Sequence, residues 1–482
     1  MEERLAELKR RVLARLKPSD EERARTLSVA QRAVGAARRQ AEELGVEAEV
    51  SVQGSIAKDT WVSGDRDIDV FIRLPPSLGR HGLEELGMKI ARGAAAELGV
   101  FIESYAEHPY VQAFVEGYRV DIVPCFKLER LEGEVTAVDR TPFHTEFVKS
   151  RLSEELRDEV RLLKGFMKAA GVYGAEIKVQ GFSGYLCELL VIHCGGFEEA
   201  LRAASMWRPW RTVLDPAGHY ERSEEALKAF NQPLVVVDPV DARRNVAAAL
   251  SLQRMAEFTA ASRLFFKKPS ELFFNPPPPK ELRSVASALR QRGTHLAVFK
   301  VDVEKTAPDV LWGQLHKSLE GLETLLRSHG FEVVDASAWS DEESTAILTF
   351  ELASLSIPRL EKREGPPLDE ESHVESFLAK HLGGDFKGPR LTGWRWTAYT
   401  SRRLVDAKEL LAVEWRKARL GKLIQEAASK SLEVLVDEEV EALLDRIEGY
   451  RRHLAEFLDG RPPWLRAYQE AVRVENRPSQ VG

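Results

Sequence analysis

Asp67 and Asp69 lie one residue apart in GSIAKDTWVSGDRDIDVF, the stretch from Gly54 to Phe71, behind a Gly-Ser turn. Side chains alternate along a strand, so over DIDVFIRL both carboxylates leave by one face while Val70, Ile72 and Leu74 enter the core by the other. Asp121, in YRVDIVP, supplies a third carboxylate on a neighbouring hairpin strand, after the extended segment Val111 to Val115 and a Glu116-Gly117 turn. Such oxygen donors suit magnesium, and two ions about 3.5–4 Å apart can activate a hydroxyl, stabilise a phosphorane-like charge and neutralise departing pyrophosphate. The chemistry indicated is nucleotidyl transfer. Gly54-Ser55, entering a short helix IAKDTW, would turn backbone N–H groups and the Ser55 hydroxyl toward phosphate oxygens, with Lys58 adding positive charge one turn later. Alone, an Asp-x-Asp is ordinarily a solvated strand face and a Gly-Ser a turn; their order, with Asp121 following, gives them weight. Asp65 shares the alternation but sits beside Gly64 at the strand entrance, where a loop or supporting role is expected.

This GS…DxD…D order resembles the polymerase-beta-like nucleotidyltransferase superfamily. GVYGAEIKVQGFSGYLCELL, from Gly171 to Leu190, narrows the resemblance to archaeal, class I CCA-adding enzymes, tRNA nucleotidyltransferases that build or repair the 3′ CCA end without a nucleic-acid template. DPVDARRNVAAALS, from Asp238 to Ser251, and LWGQLHKSLEGL, from Leu311 to Leu322, are similar to the same family, so the match runs from about residue 20 into the C-terminal third. The resemblance implies metal binding and catalysis by Asp67, Asp69 and Asp121. It implies nucleotide contacts from Gly54, Ser55, Lys58, His144 in TPFHTEFV, Lys164 in RLLKGFMK and Tyr173 in GVYG. Arg244 in DARRNVA would stand near the incoming base, with Arg243 an immediate competitor. Position 58 is commonly arginine in such enzymes; lysine keeps the charge and loses the planar fork. Two magnesium ions, CTP and ATP as substrates, the tRNA acceptor arm and 3′ end, and a homodimer are further implications. Without the resemblance, His144 reads as a cap or surface histidine ahead of an amphipathic helix, Lys164 and Lys168 as solvated charges at i and i+4, and Tyr173 as an aromatic covering the core.

The elements that must position these residues make an α/β and α multi-domain chain. Residues 1–147 form a polymerase-beta-like nucleotidyltransferase head: two charged helices before residue 45, with Ser19 and Glu22 as a capping box, then strands EAEVSVQG, DIDVFIRL, YVQAFVEG and YRVDIVPCF, and a helix near Gly82 to Leu98. Residues 148–265 form a helical neck completing the nucleotide site. Residues 266–403 form a tRNA-binding region opened by the stiff run Pro276 to Pro279, then a ferredoxin-like unit of HLAVFKVDV, a helix from Pro308 to His329, FEVVDASAWS and STAILTFELASL, with loops and an irregular subdomain over 360–400. Residues 404–482 form a C-terminal helical region packing on the body.

The 482 residues, 44% hydrophobic, suffice for several cores. There is no long uncharged apolar run and the N-terminus is charged and helical, so a soluble, cytoplasmic protein without signal peptide or membrane span is expected. Cys125, Cys187 and Cys194 lack CxxC spacing and read as reduced thiols; zinc at His193-Cys194 is the lesser alternative to helical core packing. A net charge of −7 leaves RNA binding to local clusters: MWRPWR (Met206 to Arg211), RLFFKK (Arg263 to Lys268) and GWRWTAYTSRR (Gly393 to Arg403). In the last, Arg395, Trp396, Arg402 and Arg403 are the candidate RNA contacts. Gly421-Lys422 lacks the frame of a P-loop, and no GxSxG or HExxH occurs. Poly(A) synthesis, nucleotidylation of a small molecule, and a silent RNA-binding protein remain the alternatives to CCA addition.

Overall fold

The computed structural model describes residues 2–105, 109–131, 136–383 and 387–475. The chain divides into two compact units, 1–278 with 461–482, and 279–460. The first division falls inside the proline run, which can carry neither helix nor central strand.

The first unit opens with α1 (Glu2–Leu16) and α2 (Asp20–Glu43), followed by β1 (Glu49–Gln53), α3 (Gly54–Lys58) and β2 (Asp67–Leu74). After α4 (Gly79–Gly82), a π-helical turn at Leu83–Gly87 leads into α5 (Met88–Leu98), and then come β3 (Val100–Tyr105), β4 (Pro109–Val115) and β5 (Tyr118–Phe126). The strands lie in the order β1-β2-β5-β4-β3, with β2 and β5 parallel and the other neighbours antiparallel. Ile68, Val70, Ile72 and Leu74 point into the core beneath β2. The helices on that face present Ala30, Ala33, Ala36 and Ala37 of α2 and Ala91, Ala94 and Ala95 of α5, small side chains that let helix backbones lie close to the sheet. The opposite face of β2 carries Asp67 and Asp69 at its start and then Phe71, which packs with Val123 and Cys125.

Between β4 and β5, Glu116 and Gly117 both take positive φ, 51° and 80°, as a two-residue type I′ hairpin turn requires. The capping box at the start of α2 is only half made. Ser19 accepts from the Glu22 N–H at 3.1 Å, but the Glu22 carboxylate turns away to Ser63 and the Gly64 N–H, where it restrains the loop leading into β2.

Next follow α6 (Ala137–Arg151), α7 (Glu154–Ala170), α8 (Gly184–Cys194), α9 (Phe197–Ser205), β6 (Thr212–Leu214), α10 (Ser223–Ala229), β7 (Leu234–Asp238), β8 (Asp241–Asn245) and α11 (Leu252–Lys267). His144 lies within α6 rather than ahead of the helix, and Leu152-Ser153 separate α6 from α7, which Ser153 caps through the Leu156 N–H. The helical neck also contains a small sheet, β6-β7-β8, where the run LVVVD prefers a buried strand.

The second unit contains α12 (Val285–Arg292), β9 (His295–Asp302), α13 (Pro308–His329), β10 (Val333–Ser340), β11 (Thr345–Leu352), β12 (Leu360–Pro367), α14 (Glu371–His381), β13 (Arg390–Thr392) and β14 (Arg395–Ser401). It continues through α15 (Ala407–Glu414), α16 (Lys422–Ser431), β15 (Glu433–Val436), α17 (Glu441–Arg446) and α18 (Glu448–Asp459). The sheet β10-β11-β9-β15 is antiparallel, and with α13 and α16 as its crossovers it has ferredoxin-like topology. Its fourth strand comes from Glu433–Val436, inside the stretch expected to be helical; four residues are too few to show a period. The region 360–400 is likewise not irregular: β12-β14-β13 form a second sheet with α14 beside β12, on largely exposed strands whose polarity hides the alternation.

Gly460 ends α18 in the left-handed conformation, and α19 (Pro463–Glu475) returns to the first unit. Ala467, Trp464 and Tyr468 pack there in the core that includes Leu5, Phe166 and Phe258. The 404–482 helices are thereby shared between units, because Arg461-Pro462-Pro463 interrupts them. Among the described residues no helix is long and apolar enough to cross a membrane.

Candidate active site

β2 and β5 set Asp69 directly opposite Asp121 in register, with Gln53 of β1 and Gln112 of β4 as the next partners outward. Asp67 shares the Asp69 face and is 63% exposed, whereas Asp121 is 18% exposed and accepts from Gln112 Nε2 at 3.1 Å. Burial, followed by the like charges of Asp121 and Asp67, pushes the Asp69 carboxyl up to about 6 against the opposing pull of Lys58 and Arg119. Asp121 is raised as well, first by burial, with Arg119 and the Gln112 hydrogen bond opposing. Arg119 reaches both flanking carboxylates, 3.2 Å from Asp67 and 3.4 Å from Asp121. Among the described residues no three His, Cys, Asp or Glu side chains are gathered tightly enough to hold a metal. Converging carboxylates whose charges oppose one another are nevertheless the donor chemistry a hard cation fits.

Gly54 lies against this cluster. It has φ +66°, and a Cβ there would fall 1.9 Å from Asp69 Oδ2, so only glycine lets the backbone come this close. Ser55 follows in α3, partly exposed, and Lys58 ends that helix with its side chain buried. Lys58 Nζ donates to Glu188 Oε2 at 2.5 Å and lies 5.5 Å from the centre of the Tyr185 ring. Lys164 is buried too, not solvated: it donates to the Thr60 carbonyl at 3.0 Å and Oγ1 at 3.1 Å, and lies 3.6 Å from Glu188 Oε1. Burial, only partly offset by Glu188, holds the Lys164 ammonium below its usual range. A Cβ on Gly184 would lie 3.0 Å from the Tyr173 hydroxyl and 3.6 Å from Lys164 Nζ, which places both donors at one spot. Lys168 pairs with Asp65 at 2.5 Å, so that aspartate anchors the loop.

His144 is buried, stacks on Tyr185 with ring centres 4.1 Å apart, and lies 2.9 Å from Asp238 Oδ2. Burial keeps its imidazole below the ordinary histidine range although Asp238 pulls the other way. Asp238 also accepts from Arg244 at 2.7 Å, the Tyr185 hydroxyl at 3.2 Å and the Val240 N–H at 3.1 Å. Arg243 leans instead on Asp241 and is 72% exposed. The two arginines are thus separated: Arg244 joins the His144 cluster and Arg243 does not. Both line a groove with Arg140, Ser183, Phe230 and Gln232.

Three family models match in succession: a nucleotidyltransferase domain over 36–144, a tRNA nucleotidyltransferase second domain over 158–275, and a CCA-adding enzyme C-terminal domain over 292–437. A CCA-adding enzyme of Methanothermobacter thermautotrophicus is 41% identical over 79% of this chain and 83% of its own length. That of Methanosarcina acetivorans is 39% identical over 91% of this chain and 96% of its own. The chain belongs to the CCA-adding enzymes. A Halobacterium salinarum CCA-adding enzyme is 40% identical over 93% of this chain and 97% of its own. Among solved structures, a cytoplasmic RNA terminal U-transferase covers 56% of this chain and 98% of its own at 15% identity and a TM-score of 0.44.

In this CCA-adding enzyme chain the structure also brings forward residues that the sequence reading passed over. Glu188, in the apolar run LCELLVI, was detectable as a lone charge in a buried helix; Asp238 and Arg119 carry no such local mark. Of the candidate RNA contacts, Arg395 and Arg403 are exposed and Trp396 is half-buried. Arg402 spends its guanidinium on the carbonyls of His329, Pro358 and Leu360, a structural clamp rather than a free phosphate donor. In the other clusters Trp207 and Phe265 are core residues. Cys125 and Cys187 are buried free thiols and Cys194 is half-buried.

Proposed function

We propose that this chain adds or repairs the 3′-terminal CCA of tRNA without a template, using CTP and ATP and releasing pyrophosphate. The observation that carries the proposal is the register of Asp69 opposite Asp121 with the Gly54 backbone pressed against Asp69, in a member of the CCA-adding family. In the reaction the tRNA 3′-oxygen bonds to the α-phosphorus, the bond from that phosphorus to the bridging oxygen breaks, and the hydroxyl proton is lost. Asp67, Asp69 and Asp121 would hold magnesium, which when bound supplies charge stabilisation at the attacking and leaving oxygens. Ser55, Lys58, Lys164 and Tyr173 bind the triphosphate. His144, its basicity lowered by burial, gives its Nε2–H to Asp238 and keeps Nδ1 to accept a hydrogen bond from the nucleotide instead of adding charge. Asp238 ties His144 to Arg244, so the phosphate side and the base side of the nucleotide are set by one buried carboxylate. Arg395, Trp396 and Arg403 contact tRNA phosphates and unpaired bases.

The test supplies tRNA transcripts lacking CCA, ending in CC, or complete, with magnesium and labelled CTP or ATP, singly and together. Ordered C, C, A addition that stops at the complete end is expected. Unlimited A addition would mean a poly(A) polymerase, and no transfer to any RNA would leave a silent binder.

A further inference from the structure

We propose that Glu188 is a positioning residue for nucleotide binding, fixing the Lys58 and Lys164 ammonium groups, together with Thr60, so that both stand ready for the triphosphate of CTP or ATP. The inference rests on the reading of those two lysines as triphosphate contacts. Glu188 divides its oxygens between them: Oε2 accepts from Lys58 at 2.5 Å, while Oε1 accepts from Thr60 Oγ1 at 2.5 Å and lies 3.6 Å from Lys164. The Thr60 hydroxyl and carbonyl in turn hold Lys164 at 3.1 and 3.0 Å. The side chains of Lys58, Lys164 and Glu188 are 7%, 1% and 1% exposed, so these contacts are hardly diluted by water.

The charge count is what turns a buried ion pair into a binding device. Two ammonium groups face one carboxylate, and a net positive charge inside the protein is costly until an anion meets it. Of the other acids nearby, Asp65 is taken by Lys168, and Asp69, on which Lys58 also pulls, stands among the like charges of Asp67 and Asp121. The surplus lies beside the right neighbours: Lys58 closes the helix that Gly54 and Ser55 open, and Lys164 converges with the Tyr173 hydroxyl at Gly184. Burial opposes charge on Glu188, yet the two lysines and the hydrogen bonds from Lys58 and Thr60 outweigh it and hold its carboxyl below the usual range. Glu188→Gln keeps the shape but removes the negative charge: with the amide oxygen turned to Lys58, the NH2 faces Thr60 Oγ1 and Lys164 loses its attracting partner.

The experiment uses the full-length chain and compares Glu188→Gln, Glu188→Asp and Thr60→Val with Lys58→Met and Lys164→Ala. It measures KM for CTP and ATP on tRNA ending before CCA, equilibrium binding of CTP, CDP and CMP, and Tm. Glu188→Gln is expected to raise KM for both triphosphates about tenfold and to shrink the preference for CTP over CMP, with kcat and KM for tRNA little changed. Thr60→Val should do the same more weakly, and Glu188→Asp should recover part of the loss. Should Glu188→Gln fail to fold, the other two variants carry the same comparison. The proposal is overturned if these variants lower only Tm while Lys164→Ala raises the triphosphate KM, since Glu188 is then merely structural. It falls equally if Lys58→Met and Lys164→Ala leave that KM unchanged, because the reading beneath it has then failed.

Discussion

If the proposed metal site holds, Asp69 is where proton and metal compete. Burial and the neighbouring carboxylates push its carboxyl up to about 6 from the ordinary 3.8, so the folded state holds this proton more tightly than the unfolded state does. The sign follows: without metal, Asp69 adds stability as pH falls from about 6 toward 4 and withdraws it as pH rises. A magnesium ion held as proposed would need the ionised form, so the concentration giving half-maximal incorporation should rise about tenfold per pH unit below 6, measured by titrating magnesium at fixed pH. Asp69→Ala should cut incorporation on the order of a thousandfold while leaving tRNA retention in a gel shift intact. Loss of retention instead would assign the residue to the fold.

At the scale of elements, the closeness of α3 to β2 makes Gly54 the most exacting position in the head. Gly54→Ala meets both an unfavourable φ and the Asp69 carboxylate, and should lower stability by about 1–3 kcal/mol and depress incorporation far more than tRNA binding. Thermal melting alongside kinetics separates the two effects. β14 and the two arginines that follow it carry the other element-scale prediction: Arg395→Ala and Arg403→Ala should each reduce the slope of log affinity for tRNA against log salt by about 1, whereas Arg402→Ala should act on stability. An unchanged slope would remove the first two from the interface. The strands bearing the aspartates were legible because DIDVFIRL and YRVDIVP alternate cleanly and the Glu116-Gly117 turn has a fixed signature. VFIESY was passed over as β3 because its side chains are mostly exposed and show no buried face, and the β7-β8 hairpin was absorbed into a helical neck by its short strands. Lys164 looked like a solvent-facing charge in sequence, and nothing there marked Lys58 as buried. Their burial depends on Glu188, a residue on another helix, and no local pattern encodes that pairing.

Across the whole molecule, the first unit is closed by a segment far along the chain. Ala467 is fully buried, Trp464 and Tyr468 flank it, and Arg466 donates to the Pro277 carbonyl at 3.0 Å, all within that unit. Ending the chain after Gly460 should therefore cost the unit at least about 3 kcal/mol and lower its Tm by several degrees. An unaltered melting curve would show α19 to be dispensable to that core. The return of α19 also fixes an order of events during synthesis. Residues 279–460 must leave the ribosome before the catalytic unit can be completed, a wait of roughly 10–40 s at the ordinary pace of translation. Throughout that interval the nascent head and neck carry an open hydrophobic seam, so the stretch most exposed to chaperones and proteases is the patch that α19 will cover.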